Sequence, residues 1–382
     1  MARLGDICTI VSGTTPKSSI PEYWDGDINW ITPAELNDDS YIINESVRRI
    51  TDRAVKESSL KSFPAGTVIL SSRAPIGKVA IAGTEMYCNQ GFKNLICSDK
   101  INNRYLYWFL KCNTEYLNSL GRGATFKEIS KGIVENIEIN LPPLNQQIYI
   151  AGIFEKLSSI IAIRKKQISQ LDQLVKSQFI EMFCTQNKWA DCKIEDLCLS
   201  ARTGPFGSAL HHDEFVDEGI FVLGIDNAVE NKFSYKRMRY ITPEKYEQLK
   251  RYTVHPGDVI ITIMGTVGRS AVIPEDIPTA INTKHLACLT LNKQLVNPYF
   301  LCNAFQIHPD IVHQLTGQAT GAIMDGLNLT KIKNVHFHCP PVGLQNEFVE
   351  LYHKADKSKF AIQQSLEQLE TLKKSLMQEY FG

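Results

Sequence analysis

Two stretches of the chain carry apolar residues at threes and fours with polar positions between them. In the first these are Ile153, Leu157, Ile160, Ile168, Leu171, Leu174 and Val175; in the second, Leu351, Ala355, Ile362, Leu366, Leu369, Leu372 and Leu376. That period is the stripe of a long amphipathic helix with a heptad-like seam. As one helix, Gln146 to Phe183 would be about 57 Å long at ~1.5 Å per residue. Such a stripe does not stand alone in water, and two of them most simply bury each other as an antiparallel pair. Elsewhere the pattern shortens to strand-like runs broken by Gly and Pro. Ile28-Asn29-Trp30-Ile31 and Thr67-Val68-Ile69-Leu70 come early, Ile220-Phe221-Val222-Leu223 and Val259-Ile260-Ile261 late. A helix follows each set. Asn297 caps one with Pro298 in its first position, and Asn103 precedes Tyr105 to Leu110 in the other. The aromatic density of Tyr105 to Leu110 reads as buried core rather than as a base-stacking platform. A proline pair, Pro142-Pro143 or Pro340-Pro341, then marks a hinge, because proline continues neither a strand nor a helix interior.

These elements occur twice in the same order. Leu4 to Phe183 and Ile194 to Phe381 read as divergent copies of one unit. Asp6-Ile7-Cys8 answers Asp196-Leu197-Cys198 at a separation of 190, and Gly77-Lys78 answers Gly268-Arg269 at 191. Asn89 pairs with Asn282 at 193, and the proline pairs and the leucines of the helices match at 198. A slowly drifting offset is what a duplicated domain retains after small loop insertions. A period this long means two domains rather than a solenoid.

Composition narrows the class. The 382 residues are 43% hydrophobic and 21% charged, with 41 basic and 41 acidic residues. Zero net charge argues against a coat of positive charge for indiscriminate polyanion binding, but leaves room for local basic surfaces. Ten scattered cysteines without a Cys-x-x-Cys pair suit reduced thiols in the cytoplasm. No apolar run approaches a membrane span, and Met1 to Asp6 lack a signal-peptide core.

Catalytic motifs fail on their chemistry. Ser72-Arg73-Ala74-Pro75-Ile76-Gly77-Lys78-Val79 imitates a phosphate-binding loop, but Ser72 replaces the first glycine and Val79 the magnesium-binding hydroxyl. The proline pairs lack the preceding Asn or Asp and following aromatic of an amino-methyltransferase: Leu141 and Leu144 flank one, Cys339 and Val342 the other. His336-Phe337-His338-Cys339 and His211-His212-Asp213 match no metal spacing and read as surface or strand residues. Pro309-Asp310 lacks the downstream carboxylate and lysine of a nuclease centre.

The order of short motifs is the specific feature. Leu4-Gly5-Asp6-Ile7 and Ser12-Gly13-Thr14-Thr15-Pro16-Lys17 lead through Trp30-Ile31-Thr32-Pro33 to Gly66 to Arg73. Ile76-Gly77-Lys78, Asn89-Gln90-Gly91-Phe92, the run Leu141 to Gln147 and a long helix complete the copy. Essentially the whole chain resembles the specificity (S) subunit of type I restriction-modification systems. The second copy departs at Thr203 to Gly207 and at Leu223-Gly224-Ile225, which implies that the modules read different bases. The resemblance implies an α/β (α+β) fold with two pseudo-twofold-related target-recognition domains joined by a long antiparallel two-helix coiled coil. The domains would be residues 1–144 and 188–342, with spacer helices at 145–187 and 343–382. It further implies a non-catalytic, cytoplasmic protein that binds double-stranded DNA and docks two methyltransferase subunits, with restriction/translocase subunits joining for cleavage. S-adenosylmethionine would sit on the partners and no cofactor on this chain.

Phosphates call for Lys, Arg and loop amides, and base edges for side chains of forked or dual character. In or beside Gly/Pro-bounded loops the first copy offers Thr14, Lys17, Thr32, Arg73, Lys78, Asn89, Gln90, Lys93, Arg122, Thr125, Lys127 and Lys131. The second offers Ser208, Asn227, Thr266, Arg269, Asn282, Lys284, His285, Gln318, Thr320 and Lys331. Gly121 to Thr125 and Gly317 to Gly321 stand out as polar side chains on glycine-rich backbone in both copies; turn formation explains the glycines equally well. Two rival readings remain open at this level: a self-sufficient methyltransferase or nuclease, and a coiled-coil scaffold without DNA affinity.

Overall fold

Val68–Ser71 and Val79–Ala82 are buried at every residue, as are Val259–Thr262 and Ser270–Val272. Continuous burial of this kind marks strands covered on both faces, and the two strands of each pair are antiparallel neighbours in their sheet. In the computed structural model, which describes residues 1–73, 75–123, 127–185, 189–206, 209–316 and 327–382, the chain forms two compact units. Unit 1 comprises residues 1–165 and 363–382, unit 2 residues 166–362.

The units repeat one topology. The main sheet of unit 1 runs Cys8–Ser12, Phe92–Cys97, Val68–Ser71, Val79–Ala82, with Ile42–Ile43 added at the edge. Unit 2 has Cys198–Thr203, Leu286–Leu291, Val259–Thr262 and Ser270–Val272 in the same order. A smaller sheet sets Trp24–Ile31 between Arg49–Ile50 and Tyr87–Cys88, matched by Ile220–Leu223 between Tyr240–Ile241 and Ala280–Asn282. The register refines the alignment of the copies. Val68 faces Leu95 and Val259 faces Leu289, so one strand keeps the 191 offset while its neighbour has moved to 194. The counterpart of Asn89 in space is therefore Thr283, not Asn282. The Asn89 N–H donates to Ile31 O (3.1 Å) as the Thr283 N–H donates to Leu223 O (2.9 Å).

Asn103–Cys112 and Pro298–Ile307 form the helices beneath the sheets. Asn102 rather than Asn103 caps the first, accepting from the Arg104 and Tyr105 amides. Asn297 caps the second. Tyr105 to Leu110 are all buried, in the core role their composition suggested.

The long helices are Leu144–Phe183 and Val342–Phe381, 40 residues each. Within unit 1 they run antiparallel: Lys165 pairs with Glu370 (3.0 Å), Lys373 Nζ donates to Ser158 Oγ (2.9 Å) and Phe154 packs on Phe381. Within unit 2, Asp172 pairs with Lys359 (2.6 Å), and Phe179 and Phe183 pack on Phe348. The buried stripe lies partly off the one read from the leucines. Leu157, Ala355 and Leu366 are buried, and Ile153, Ile168, Leu171, Leu351, Ile362, Leu369 and Leu376 are partly buried. Ile160, Leu174 and Leu372, however, are 41%, 48% and 47% exposed; Val175, read on the stripe, is buried, and Ile161 takes the inward place beside Ile160. The aromatic residues decide this. Phe154 and Phe179, both fully buried, lock the first helix into the cores of the two units and rotate the seam onto Phe154, Leu157, Ile161, Ile168, Leu171 and Val175.

The proline pairs do not act as free hinges. Gln147, 1% exposed, accepts from the Asn102 amide (2.8 Å) and donates to Lys100 O (3.1 Å) and Pro142 O (2.8 Å). Gln345, fully buried, accepts from the Asn297 amide (2.8 Å) and donates to Leu295 O (3.1 Å) and Pro340 O (2.7 Å). In both units one glutamine clamps the start of the long helix to the turn that begins the buried helix. Among the described residues no helix is long and apolar enough to cross a membrane.

Candidate nucleic-acid interface

In unit 1 the candidate loops meet at one end of the main sheet. Gly13 lies so close to the Cys88 and Asn89 backbone that any Cβ would collide with their carbonyls. The Thr14 amide donates to Cys88 O (2.9 Å), Trp30 Nε1 donates to Thr14 O (3.1 Å), and the Thr15 hydroxyl bonds Gln90. The loop from Ser71 to Lys78 closes on its own hydroxyl. Ser71 Oγ donates to Pro75 O (2.7 Å) and accepts from the Lys78 amide (2.9 Å), with Gly77 at φ 93°. The Ser72 amide reaches Gly91 O (2.7 Å), Ser72 O accepts from Ile129, and Arg122 and Glu128 exchange both backbone hydrogen bonds.

Unit 2 repeats the scheme. Gly204 lies against the Asn282 and Thr283 backbone. Thr262 Oγ1 accepts from the Arg269 amide (2.9 Å) and bonds Thr266 O, with Gly268 at φ 81°. The interior that a nucleotide-binding loop keeps open for phosphate is thus filled by a threonine or serine hydroxyl in both copies. Among the described residues no group of three or more His, Cys, Asp or Glu side chains is arranged to hold a metal ion.

Three candidate side chains turn inward. Lys93 is 6% exposed, its Nζ bonded to Ser72 Oγ and Glu128 (3.2 Å each). Asn227, fully buried, accepts from the Gly224 amide (2.8 Å) and donates to Ser234 O (2.7 Å). Asn282, also fully buried, donates to Leu286 O (3.0 Å). Lys93 and Asn227 spend their hydrogen bonds on fixing loops, and burial keeps all three from presenting a face to a ligand. Lys78 is similar: its Nζ donates to Pro33 O (3.2 Å) and Leu36 O (2.5 Å). Thr32 and Asn89 are half-buried, Thr32 bonded to Glu35 and Asn89 to the Gly91 amide. Arg73 is half-buried, 3.7 Å from Glu128.

Thr14, Lys17, Gln90, Arg122 and Lys127 are exposed on unit 1, and Thr266, Arg269 and Lys284 on unit 2. Lys131 is exposed and pairs with Glu135 on its own helix (3.6 Å); Lys331 is half-buried on a short helix capped by Asn328. His285 is half-buried. Burial, then the Lys284 and Arg239 charges, hold its imidazole below the ordinary histidine range, so it presents a neutral ring at pH 7. Thr125, Ser208, Gln318 and Thr320 lie outside the described residues.

The structure also brings forward two arginines absent from that set. Arg48 O accepts from the Trp30 amide and Arg239 O from the Val222 amide, at equivalent points of the small sheets. The Arg48 guanidinium lies 4.0 Å from the Trp24 ring and 5.3 Å from Trp30. Arg239 pairs with Asp226 (2.7 Å) beside Gly224. A sequence signal existed: Arg48-Arg49-Ile50-Thr51 and Arg239-Tyr240-Ile241-Thr242 share Arg-x-Ile-Thr at an offset of 191, and each threonine caps the next helix.

A duplicated α/β module with loops gathered at one end of its sheet, on paired antiparallel helices, is the architecture of a DNA specificity domain. The chain matches the family described as type I restriction modification DNA specificity domain over residues 1–173 and 186–372, and it belongs to that family. It is 41% identical over 184 residues to the type I restriction enzyme MjaIX specificity subunit of Methanocaldococcus jannaschii, covering 47% of this chain and 43% of that protein. With the EcoBI specificity subunit of Escherichia coli it shares 22% identity over 314 residues, covering 74% of this chain and 66% of that one. The match thus spans from under half to about two thirds of these relatives. In fold it is similar to the S subunit of M. genitalium (TM-score 0.57, 16% identity, all of this chain and 95% of that one). A chain from a study of assembly and conformational transition in the type I R-M system gives a TM-score of 0.63 at 15% identity, over all of this chain and 96% of that one.

Proposed function

We propose that the chain is the sequence-reading subunit of a type I restriction-modification complex. Each module holds one half of an asymmetric, two-part duplex site. The long helices set the gap and dock two methyltransferase subunits, which bind S-adenosylmethionine and act on a base flipped from the duplex. A restriction/translocase subunit joins for cleavage, and this chain performs no chemistry of its own.

One observation carries the reading. The backbone scaffold of the loops is the same in both units, down to the hydroxyl that closes each turn, while the outward side chains have diverged. Identical scaffolds with different faces suit two readings of one kind of ligand. Phosphate-facing cations such as Arg122, Lys127, Arg269 and Lys284 supply position, and the divergent loops supply sequence. The clamps at Gln147 and Gln345 support a fixed spacing, since a flexible joint would blur it.

The experiment is to sequence methylated bases in cells carrying this chain with its methyltransferase partner, before and after deleting one heptad from each long helix. A two-part motif whose gap shortens on deletion is expected. A motif with an unchanged gap would overturn the spacer role, and absence of site-specific methylation would overturn the recognition role.

A further inference from the structure

The two recognition faces differ in chemistry at matching positions. Thr15, two residues past Gly13, is matched by Phe206, two past Gly204. Arg73, two past Ser71, is matched by Met264, two past Thr262. The unit 1 pair is polar and engaged: Thr15 bonds Gln90, and Arg73 lies 3.7 Å from Glu128. The unit 2 pair is apolar and open to solvent, Phe206 at 57% and Met264 at 46% exposure. Met238, at 51%, adds a third apolar side chain, next to Arg239.

These residues sit on loops that touch. Gly204 packs on Asn282 and Thr283, Thr283 bonds Leu223, the Ile263 amide donates to His285 O (2.9 Å), and Gly265 abuts Ile225. Large apolar side chains exposed on loops that rest on the same turn, residues 282–285, mark a surface that is covered in use. Arg269, on the Thr262–Arg269 loop, and Lys284, on the 282–285 turn, are exposed cations, which select a polyanion as the cover. On a duplex the apolar feature of the base edges is the thymine C5-methyl, displayed in the major groove.

We infer that unit 2 reads thymine methyl groups through Phe206 and Met264, whereas unit 1 reads hydrogen-bonding edges through Thr15, Gln90 and Arg73. The inference rests on the DNA-recognition reading above and deepens it.

The test uses the chain assembled with its methyltransferase subunits and a duplex carrying the site mapped by methylation sequencing. The duplex is made with thymine, or with uracil in one half-site at a time; uracil lacks only the methyl. Uracil in one half-site is expected to weaken binding by about fourfold for each methyl covered. The double variant F206A/M264A should bind the thymine duplex more weakly and lose the thymine-to-uracil difference. M264L should keep the difference, and R73A should leave it unchanged. Equal binding of thymine and uracil duplexes by the unaltered complex, or a difference that survives in F206A/M264A, would overturn the inference. Failure of the unaltered complex to prefer the mapped duplex over an unrelated one would instead overturn the recognition reading itself.

Discussion

Single polar side chains decide the local geometry of this protein, and their removal should be visible. Gln345 accepts from the Asn297 amide and donates to the Leu295 carbonyl and the buried Pro340 carbonyl at the root of the second long helix. Alanine there leaves the buried Pro340 carbonyl without its amide donor, which costs about 1–3 kcal/mol. We expect Q345A to lower the thermal unfolding midpoint by several degrees, measured by circular dichroism, and Gln345→Glu not to restore it, because a carboxylate cannot donate to the two carbonyls. His308 offers a pH readout in the same unit. It is 4% exposed, between Phe179 and Phe337, and burial lowers its pKa from the ordinary value, aided by His338 and opposed by Asp310. The folded state therefore holds the neutral ring, and the unfolded chain takes up a proton more readily as pH falls through about 6.5. Stability conferred at neutral pH is lost on acidification. The gap in unfolding midpoint between the parent protein and H308Q should narrow between pH 7.5 and pH 5; a constant gap would remove His308 from the pH response.

At the scale of elements, the long helices show how little separates two readings of one periodic pattern. Threes and fours fit two adjacent registers, and both Leu366 and Leu372 fall on the stripe read from the leucines. In the folded unit Leu366 is 5% exposed and Leu372 47%. L366A should cost about 2–5 kcal/mol, the range for a buried leucine, whereas L372A should stay within about 0.5 kcal/mol, as measured by urea unfolding. Near-equal losses would mean the seam is set otherwise. Lys373, not Leu372, takes the inward place: its ammonium bonds Ser158 and lies 4.9 Å from the Trp108 ring, and burial lowers its pKa from the ordinary lysine value. The other elements obey their local signals. Caps at Asn102, Asn297, Thr51 and Thr242 and glycines at positive φ stand where turn chemistry puts them.

At the scale of the whole molecule, each compact unit takes its core from distant parts of the chain. Phe381, Tyr380, Met377 and Leu376 pack into the unit 1 core with Tyr105, Phe109 and Phe154. Deleting residues 363–382 should therefore expose unit 1 to proteolysis while unit 2, whose core lies within 166–362, remains the protected fragment. Mass spectrometry of a limited trypsin digest would check this, and equal protection of both units would refute it. The first long helix supplies Phe154 to one unit's core and Phe179 to the other's.

The duplication, the helical stretches and the Asn297 cap were legible along the chain, because each is a local or self-similar pattern. The loops that gather at the sheet ends were legible too, as Gly/Pro-bounded polar segments. Tertiary structure decided which of those polar residues turn inward: Lys93, Asn227 and Asn282 look like ligand-seeking side chains until the Ser72 hydroxyl and Glu128 carboxylate claim the first and the backbone of their own buried turns claims the other two. It also decided the seam of the long helices, through Phe154 and Phe179, and the pairing of Asn89 with Thr283, through strand register. The sequence alone determined that one unit is built twice and that its outward loops have diverged. Which residues of those loops face outward was left to packing, because burial depends on partners brought together only when the chain has folded.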